Sequence, residues 1–227
     1  MRMDTKTHWD KSHQKHPDKR EPSNYAIDKE RSFPRSSMVC DLGGGDGADS
    51  LYFLKQGHNV FHCDISPIAV EKARRKTDEA GFSKNFSTAV VDLNKDKIPK
   101  SDNFFDIVYS RLSLHYFDQD RTREILADVK RVLKPGGVAF IAVKSPDDKN
   151  EMEFLEKNNE KIAEGLYRED SVLKSRYTKQ QYETILKNAG VDNYEINDYE
   201  ETFGESKIYV KSGADKLLYL EITIHKI

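Results

Sequence analysis

The chain has 227 residues, which fits one α/β domain with added segments and allows a sizeable buried core. Charged residues make up 33% and hydrophobic residues 37%, with a formal net charge of −2. Strong apolar runs interrupt the polar background, which excludes a wholly disordered chain, and the near-neutral balance weighs against a general nucleic-acid binder, so no DNA partner is expected. There is no secretory signal and no apolar run long enough to span a bilayer, so the expectation is a cytoplasmic protein with no membrane partner. Cys40 and Cys63 each lie in a strand-like run without metal-ligand spacing. They read as buried, reduced thiols, and no metal site is expected.

Residues 1–36 are polar, carry three of the seven histidines and show no sustained periodicity. They read as loop with one short helix. Two outcomes stay open: a disordered tail, or a lid folded over the main domain, because Trp9 and Tyr25 are costly to leave in water.

From Met38 the character changes. Met38–Leu42 is a short apolar strand, followed at once by Gly43-Gly44-Gly45-Asp46-Gly47. A helix then begins near Asp49, with Leu51, Tyr52 and Leu54 on one side, and stops at Gly57. Asn59–Asp64 is the second strand. Ser66-Pro67 reads as an N-cap followed by proline at the first helical position, with Gly81 ending that helix. Ser87–Asp92 and Phe105–Ser110 are the third and fourth strands. Ile125, Leu126, Val129, Val132 and Leu133 recur at helical spacing over 122–133. Lys134–Gly137 breaks that helix, and Val138–Val143 is a fifth strand, apolar throughout as a doubly covered parallel strand should be.

Residues 145–176 are charged, with one helix expected over "NEMEFLEKNNEKIAEGL". Thr178-Lys-Gln-Gln181 matches a capping box and opens a helix that Gly190 closes. Two late strands follow, near Tyr194–Glu200 and Leu217–His225. The last alternates, with Leu218, Leu220, Ile222 and Ile224 on one face and polar residues on the other, and reads as half-buried. Strands alternating with helices predict a doubly wound, mostly parallel sheet, closed by an antiparallel C-terminal pair.

Open α/β sheets bind ligands at the carboxyl ends of their strands, where strand order reverses. Four features should meet there. Asp41-Leu42-Gly43-Gly44-Gly45 supplies a loop whose backbone can approach a ligand closely. Asp64 ends the second strand about 20 residues later, where a carboxylate can accept both hydroxyls of a ribose. Asp92-Leu93 ends the third strand, where Asp92 can accept from an adenine amino group. Ser110-Arg111-Leu112 ends the fourth, beneath the loop.

The glycine loop also satisfies a dinucleotide pattern through Gly43, Gly45 and Ala48, so an NAD-dependent oxidoreductase has to be weighed. Charge argues against it. A pyrophosphate would sit at the helix N-terminus, where Asp41, Asp46 and Asp49 cluster. The same carboxylates favour a cofactor carrying a sulfonium and an ammonium.

These segments resemble the class I S-adenosylmethionine-dependent methyltransferases. "VCDLGGGDG" resembles their first motif and "FHCDIS" the acidic second; "VVDL" resembles the adenine-contacting segment. "FDIVYSRLSLHYF" and "LKPGGVAFI" resemble the fourth- and fifth-strand motifs of the small-molecule branch. "YTKQQYETILKNAGV" extends the likeness to the late helix.

The resemblance implies a Rossmann-like seven-stranded α/β sheet over residues 37–227, with 145–176 as a substrate-side insertion and 1–36 as a candidate lid. It implies S-adenosyl-L-methionine as cofactor and S-adenosyl-L-homocysteine as product. Asp41, Gly43, Gly44 and Gly45 would hold the methionine part, Asp64 the ribose, and Ile65, Asp92 and Leu93 the adenine. Ser110 would offer its carbonyl to the ammonium, with Arg111 beside it. Asp46 departs from the family pattern, which often has a small or hydroxyl residue there.

Methyl transfer from a sulfonium is an in-line displacement, and orientation alone can contribute about 7–11 kcal/mol. A base is needed only if the nucleophile must lose a proton. His115 and Tyr116 are the catalytic candidates, since a histidine titrates at about 6.5. The competing reading of His115 is a helix-start residue bonded to backbone. Trp9 and Tyr25 are the candidates for covering the substrate. The Asn/Asp-Pro-Pro-aromatic motif of amino-directed nucleic-acid methyltransferases is absent, and so is a cysteine placed for cytosine C5 chemistry. A small-molecule acceptor is expected, with tRNA or protein as alternatives. A non-catalytic cofactor-binding protein of the same fold is the reading from a different class.

Overall fold

The computed structural model describes residues 4–15, 21–202 and 216–227. Seven strands form one sheet: β1 (Met38–Leu42), β2 (Asn59–Asp64), β3 (Phe86–Val90), β4 (Phe105–Arg111), β5 (Leu133–Lys144), β9 (Tyr194–Thr202) and β10 (Lys216–His225). Their spatial order is β3-β2-β1-β4-β5-β10-β9. The first five are parallel, and β10 runs antiparallel to both β5 and β9. The order reverses between β1 and β4, which places the ligand crevice at their carboxyl ends.

Side chains alternate across the sheet as a two-residue period demands. Cys40, Val108, Ile141 and Ile222 face a core built with α5 (Gln119–Val132) and α7 (Lys179–Asn188). Val39, Ile107, Tyr109 and Tyr219 face a second core built with α2 (Asn24–Glu30) and α3 (Ala48–Lys55). α4 (Pro67–Glu79) carries the expected Ser66 cap, whose hydroxyl accepts from the Ala69 N–H, with Pro67 in the first turn. The capping box is also present: Thr178 and Gln181 satisfy each other's backbone N–H groups. Cys40 and Cys63 are buried free thiols.

Four expectations need correction. The final strand is buried on both faces, not one. Tyr219, Glu221 and Thr223 lie beneath α2, and Lys29 from that helix reaches the Glu221 carboxylate at 2.7 Å. The polar face is polar because it meets charged and hydroxyl groups of the N-terminal segment, not water.

That segment is two helices, α1 (Thr5–Lys15) and α2, where one short helix was expected. Ser23 caps α2 by accepting the Ala26 N–H, and Tyr25 and Ala26 are fully buried. α3 turns Phe53 and Leu54 inward and leaves Leu51 and Tyr52 half-buried.

The helix expected across 150–166 ends early. α6 covers Lys149–Asn158, after which β6 (Glu160–Ala163), β7 (Leu166–Glu169) and β8 (Val172–Ser175) form an antiparallel meander. The side chains of Asn158 and Asn159 donate to the Phe154 and Leu155 carbonyls, taking up acceptors that a continuing helix would use. Gly165 and Asp170, both at positive φ, make the two turns. Among the described residues no helix is long and apolar enough to cross a membrane.

Candidate active site

The glycine loop is fixed from β2. The Gly43 and Gly44 N–H groups both donate to the Cys63 carbonyl, at 2.8 and 3.1 Å, and the Gly45 N–H donates to Asp64 Oδ2 at 3.0 Å. The other carboxylate oxygen of Asp64 accepts the Ser66 N–H at 2.9 Å. Two positions need glycine for lack of space. A Cβ on Gly43 would lie 2.1 Å from Ser113 Oγ, and one on Gly44 2.5 Å from Asp41 Oδ2.

A cavity of about 150 Å³ opens in front of this loop. Gly43, Gly45, Asp64, Ile65, Asp92 and Leu93 line it at the ends of β1–β3, with Leu112, Ser113, Tyr116 and Phe117 beyond β4. Thr5, Trp9 and His13 of α1 form its remaining wall. α1 is held there by Asp10 accepting from Ser66 Oγ at 2.5 Å, by Lys72 donating to the His13 carbonyl, and by Thr5 donating to the Ser171 carbonyl. A larger open groove of about 340 Å³ runs along α5, away from the strand ends, and Arg121 and Arg131 there are occupied by backbone carbonyls.

Several residues expected at the cofactor face elsewhere. Asp41 is buried beneath the loop, accepting from Ser50 Oγ at 2.6 Å, with His62 Nδ1 3.1 Å from the same hydroxyl. Gly44 backs onto this trio and not onto the cavity. The Ser110 side chain donates to the Leu42 carbonyl, tying β4 to β1, which leaves the expectation for its backbone carbonyl untouched. Arg111 turns toward β9 and β10, pairing with Glu201 and the Tyr219 hydroxyl. Tyr25 lies in the core on the α2–α3 side, against Tyr109 and Tyr199, and is absent from the cavity wall.

The charge argument holds with different carboxylates. Asp46 turns toward Lys76, whose Nζ lies 2.9 Å from its carbonyl and 3.4 Å from its carboxylate. Asp49 accepts from Ser23 and the Tyr109 hydroxyl, and burial raises its carboxyl above the usual range. Among the described residues the cavity is lined by Asp64 and Asp92 and by no lysine or arginine. That wall suits a cationic ligand and not a pyrophosphate. Each Asp64 oxygen accepts one backbone N–H and keeps lone-pair capacity for a hydroxyl. Asp92 Oδ1 is oriented by the Asn94 backbone and side-chain amides. The residues present therefore fit an adenosyl sulfonium cofactor.

On the far side of Leu112, itself at positive φ, the chain forms a short 3-10 turn, Leu114–Tyr116. Trp9 meets Tyr116 edge-on, with ring centroids 4.9 Å apart. Burial pushes the Tyr116 hydroxyl up to about 12, so it keeps its proton at neutral pH. His115 is fully buried, and neither ring nitrogen has a hydrogen-bond partner. Burial first, then Arg176 and Lys144, hold its proton affinity well below the ordinary histidine value. These electrostatics oppose a general base at His115, and its lack of partners also departs from the backbone-bonded alternative.

The sequence reading missed Thr5, His13 and Ser113 as cavity residues, and the charged group of Lys144, Glu151 and Arg176 near Tyr116. Ser113 lies inside the quoted fourth-strand motif, so its position was available. The others come from segments with no local signal.

The switch-point cavity, glycine loop and two strand-end carboxylates define an α/β domain built for a positively charged adenosyl cofactor. Residues 39–137 match the profile of a methyltransferase domain. The chain is 29% identical over 153 residues to dimethylglycine N-methyltransferase of Parasynechococcus marenigrum, covering 66% of this chain and 51% of that one. It is 27% identical over 105 residues to tRNA 5-carboxymethoxyuridine methyltransferase of Escherichia coli, covering 46% and 39%. Among solved structures it resembles Burkholderia thailandensis 1,6-didemethyltoxoflavin-N1-methyltransferase, solved with bound 1,6-didemethyltoxoflavin and S-adenosylhomocysteine. The TM-score is 0.63 at 20% identity, over 89% of this chain and 76% of that one, a likeness of fold. The match over residues 39–137 and these relatives support a class I S-adenosylmethionine-dependent methyltransferase domain, with S-adenosylmethionine as the cofactor that its site fits. It spans between 39% and 51% of the length of the first curated relatives it matches.

Proposed function

We propose that this chain transfers a methyl group from S-adenosylmethionine to a small-molecule nucleophile held beside Tyr116. The observation that carries the reading is the wall of the cavity: two carboxylates and the glycine loop on the cofactor side, and an aromatic pair, Trp9 and Tyr116, on the acceptor side. When bound, S-adenosylmethionine supplies an electrophilic methyl group on a sulfonium.

The chain's own residues position and enclose. Asp64 accepts ribose hydroxyls with oxygens already aimed by the Gly45 and Ser66 amides. Asp92 accepts from the adenine edge, and Ile65 and Leu93 pack against the base. Gly43 and Gly45 let the backbone come close to the methionine part, and Asp41 acts one layer below, by holding the loop through Ser50. Tyr116 keeps its proton and donates to or packs against the acceptor. His115 stays neutral and supports Tyr116 from behind, with ring centroids 4.2 Å apart.

α1 serves as the lid. A cavity of about 150 Å³ is smaller than the ~300–1,000 Å³ typical of small-molecule sites, so the cofactor enters with α1 displaced. A cavity roofed by one helix favours a small acceptor over a tRNA, which would have to be approached from outside the lid. The test is release of S-adenosylhomocysteine from a panel of small amines, carboxylic acids and phenols, alongside bulk tRNA. Turnover with one of the small nucleophiles and none with tRNA supports the reading; turnover with tRNA alone overturns the small-molecule part.

A further inference from the structure

Close enough to Tyr116 to act on it electrostatically lies a largely buried group of charges outside the cofactor cavity wall. Lys144 at the end of β5 and Arg176 just after β8 both donate to the same oxygen of Glu151 on α6, each at 2.7 Å. Arg176 is 2% exposed, and its Nε has no partner. His115, facing the same group, is fully buried with both nitrogens unpartnered. Two fixed positive charges therefore share one carboxylate. The neighbouring Lys174 is matched by Glu169 at 2.6 Å and does not alter the balance. Buried charges are ordinarily paired and buried donors ordinarily bonded. Here one positive charge is left over, and Arg176 Nε and both His115 nitrogens remain unbonded, while Arg176 Nη1 donates to the Ser175 carbonyl.

We propose that this group is an acceptor subsite for a carboxylate, so that the methyl acceptor is a small carboxylic acid. The inference rests on the methyl-transfer reading above. The arriving carboxylate is received by Arg176 Nε–H and Lys144, and it brings the group to neutrality. The neutral imidazole of His115 contributes its single N–H. Arginine suits this role because its planar fork matches a carboxylate. The position suits it too. Tyr116 is shared: it lines the cofactor cavity and its ring lies 4.2 Å from that of His115. The Thr5 bond to Ser171 ties the lid helix to the β7–β8 turn, the far end of the strand that leads into Arg176. Glu151 is then a positioning residue. It bridges the two cations, each bonded to the same oxygen, and so fixes where their remaining donors point.

The test uses full-length protein saturated with S-adenosylhomocysteine, with nitrogen-15 in its histidines, titrated with acetate and, separately, with its neutral counterpart acetamide. His115 resonances are assigned by their loss in His115→Phe. Acetate should shift them saturably and acetamide should not. Lys144→Met should weaken the acetate response by at least ~10-fold, as for a lost charge-assisted hydrogen bond. Arg176→Met should do the same, and Arg176→Lys, which keeps the charge but lacks the Nε–H and the planar fork, should recover only part of it. If Arg176→Met does not fold, Lys144→Met carries the comparison. An absent response to acetate, an equal response to acetamide or chloride, or an unchanged response in Lys144→Met would overturn the inference. S-adenosylhomocysteine binding in the same samples separates the two levels. Cofactor bound with acetate inert removes the subsite alone, whereas failure to bind cofactor removes the methyl-transfer reading.

Discussion

Trp9 of the N-terminal helix meets Tyr116 of the post-β4 turn edge-on at 4.9 Å, joining a segment with no sequence periodicity to the centre of the site. Trp9 is the only tryptophan in the chain, so its emission reports the surroundings of this one side chain, Tyr116 with the neighbouring His8 and His13 rings. Cofactor binding is expected to shift that emission saturably, and Tyr116→Leu should change the starting spectrum. α1 buries only His13 and is held by the Asp10–Ser66, Lys72–His13 and Thr5–Ser171 bonds, so removing residues 1–15 should lower stability by only about 1–3 kcal/mol while raising the cofactor dissociation rate. A large loss of thermal stability in that truncation would mean that α1 is part of the core.

Gly43→Ala is expected to be severe. The position has a φ of 72°, and the new methyl would lie 2.1 Å from Ser113 Oγ. Strain of this kind costs about 1–3 kcal/mol. Adding Ser113→Gly should recover the steric part and leave the dihedral part. Urea denaturation of the single and double variants measures the split.

His115 gives the protein a defined acid sensitivity. Its folded-state proton affinity lies well below the ordinary value of about 6.5, which the unfolded chain retains. Below that pH the unfolded state binds the proton and the folded state does not, so stability falls as pH falls through about 6.5. His115→Phe should flatten the dependence of melting temperature on pH between roughly 7 and 5. An unchanged slope would count against a buried neutral imidazole.

Glu151 works in the opposite sense and at lower pH. Burial raises its carboxyl, but Lys144 and Arg176 outweigh that and bring it to about 2. Its contribution is present above the unfolded value of about 4.3 and is lost as pH falls toward 2. Glu151→Gln leaves two buried cations without a counter-charge, and breaking a buried pair in this way costs about 3–5 kcal/mol. Chemical denaturation at pH 7 checks the magnitude. A loss below about 1 kcal/mol would place the group in water.

What could be read from the sequence was what is encoded locally. Thr178 and Gln181 satisfy one another within a single turn, and Ser66-Pro67 opens α4 for reasons contained in two residues. Gly43, Gly45, Asp64 and Asp92 were legible because a strand end fixes where the next residue sits. What failed depended on partners distant in sequence. Arg111 ends its strand beside the cofactor segments, but Glu201, 90 positions on, draws it to the other end of the sheet. The alternation of β10 was read correctly, but its second face is covered by α2, a helix nearly 200 residues earlier. Asp41 was placed in the right loop and given the wrong neighbour, since Ser50 and His62 take up its carboxylate from below. The 160–175 meander was hidden by helix-favouring glutamates and lysines, which its turns at Gly165 and Asp170 override.

Asp64 ties the account together, because it orients the glycine loop and presents the acceptor for ribose. The decisive measurement is a calorimetric titration of the purified protein with S-adenosylhomocysteine, with NADH as control, repeated on Asp64→Ala. Micromolar binding of S-adenosylhomocysteine, weakened by about 1–3 kcal/mol in the variant and absent for NADH, is the predicted result. No binding of the adenosyl ligand, binding of NADH in its place, or equal affinity in Asp64→Ala would contradict the assignment of this cavity as the cofactor site.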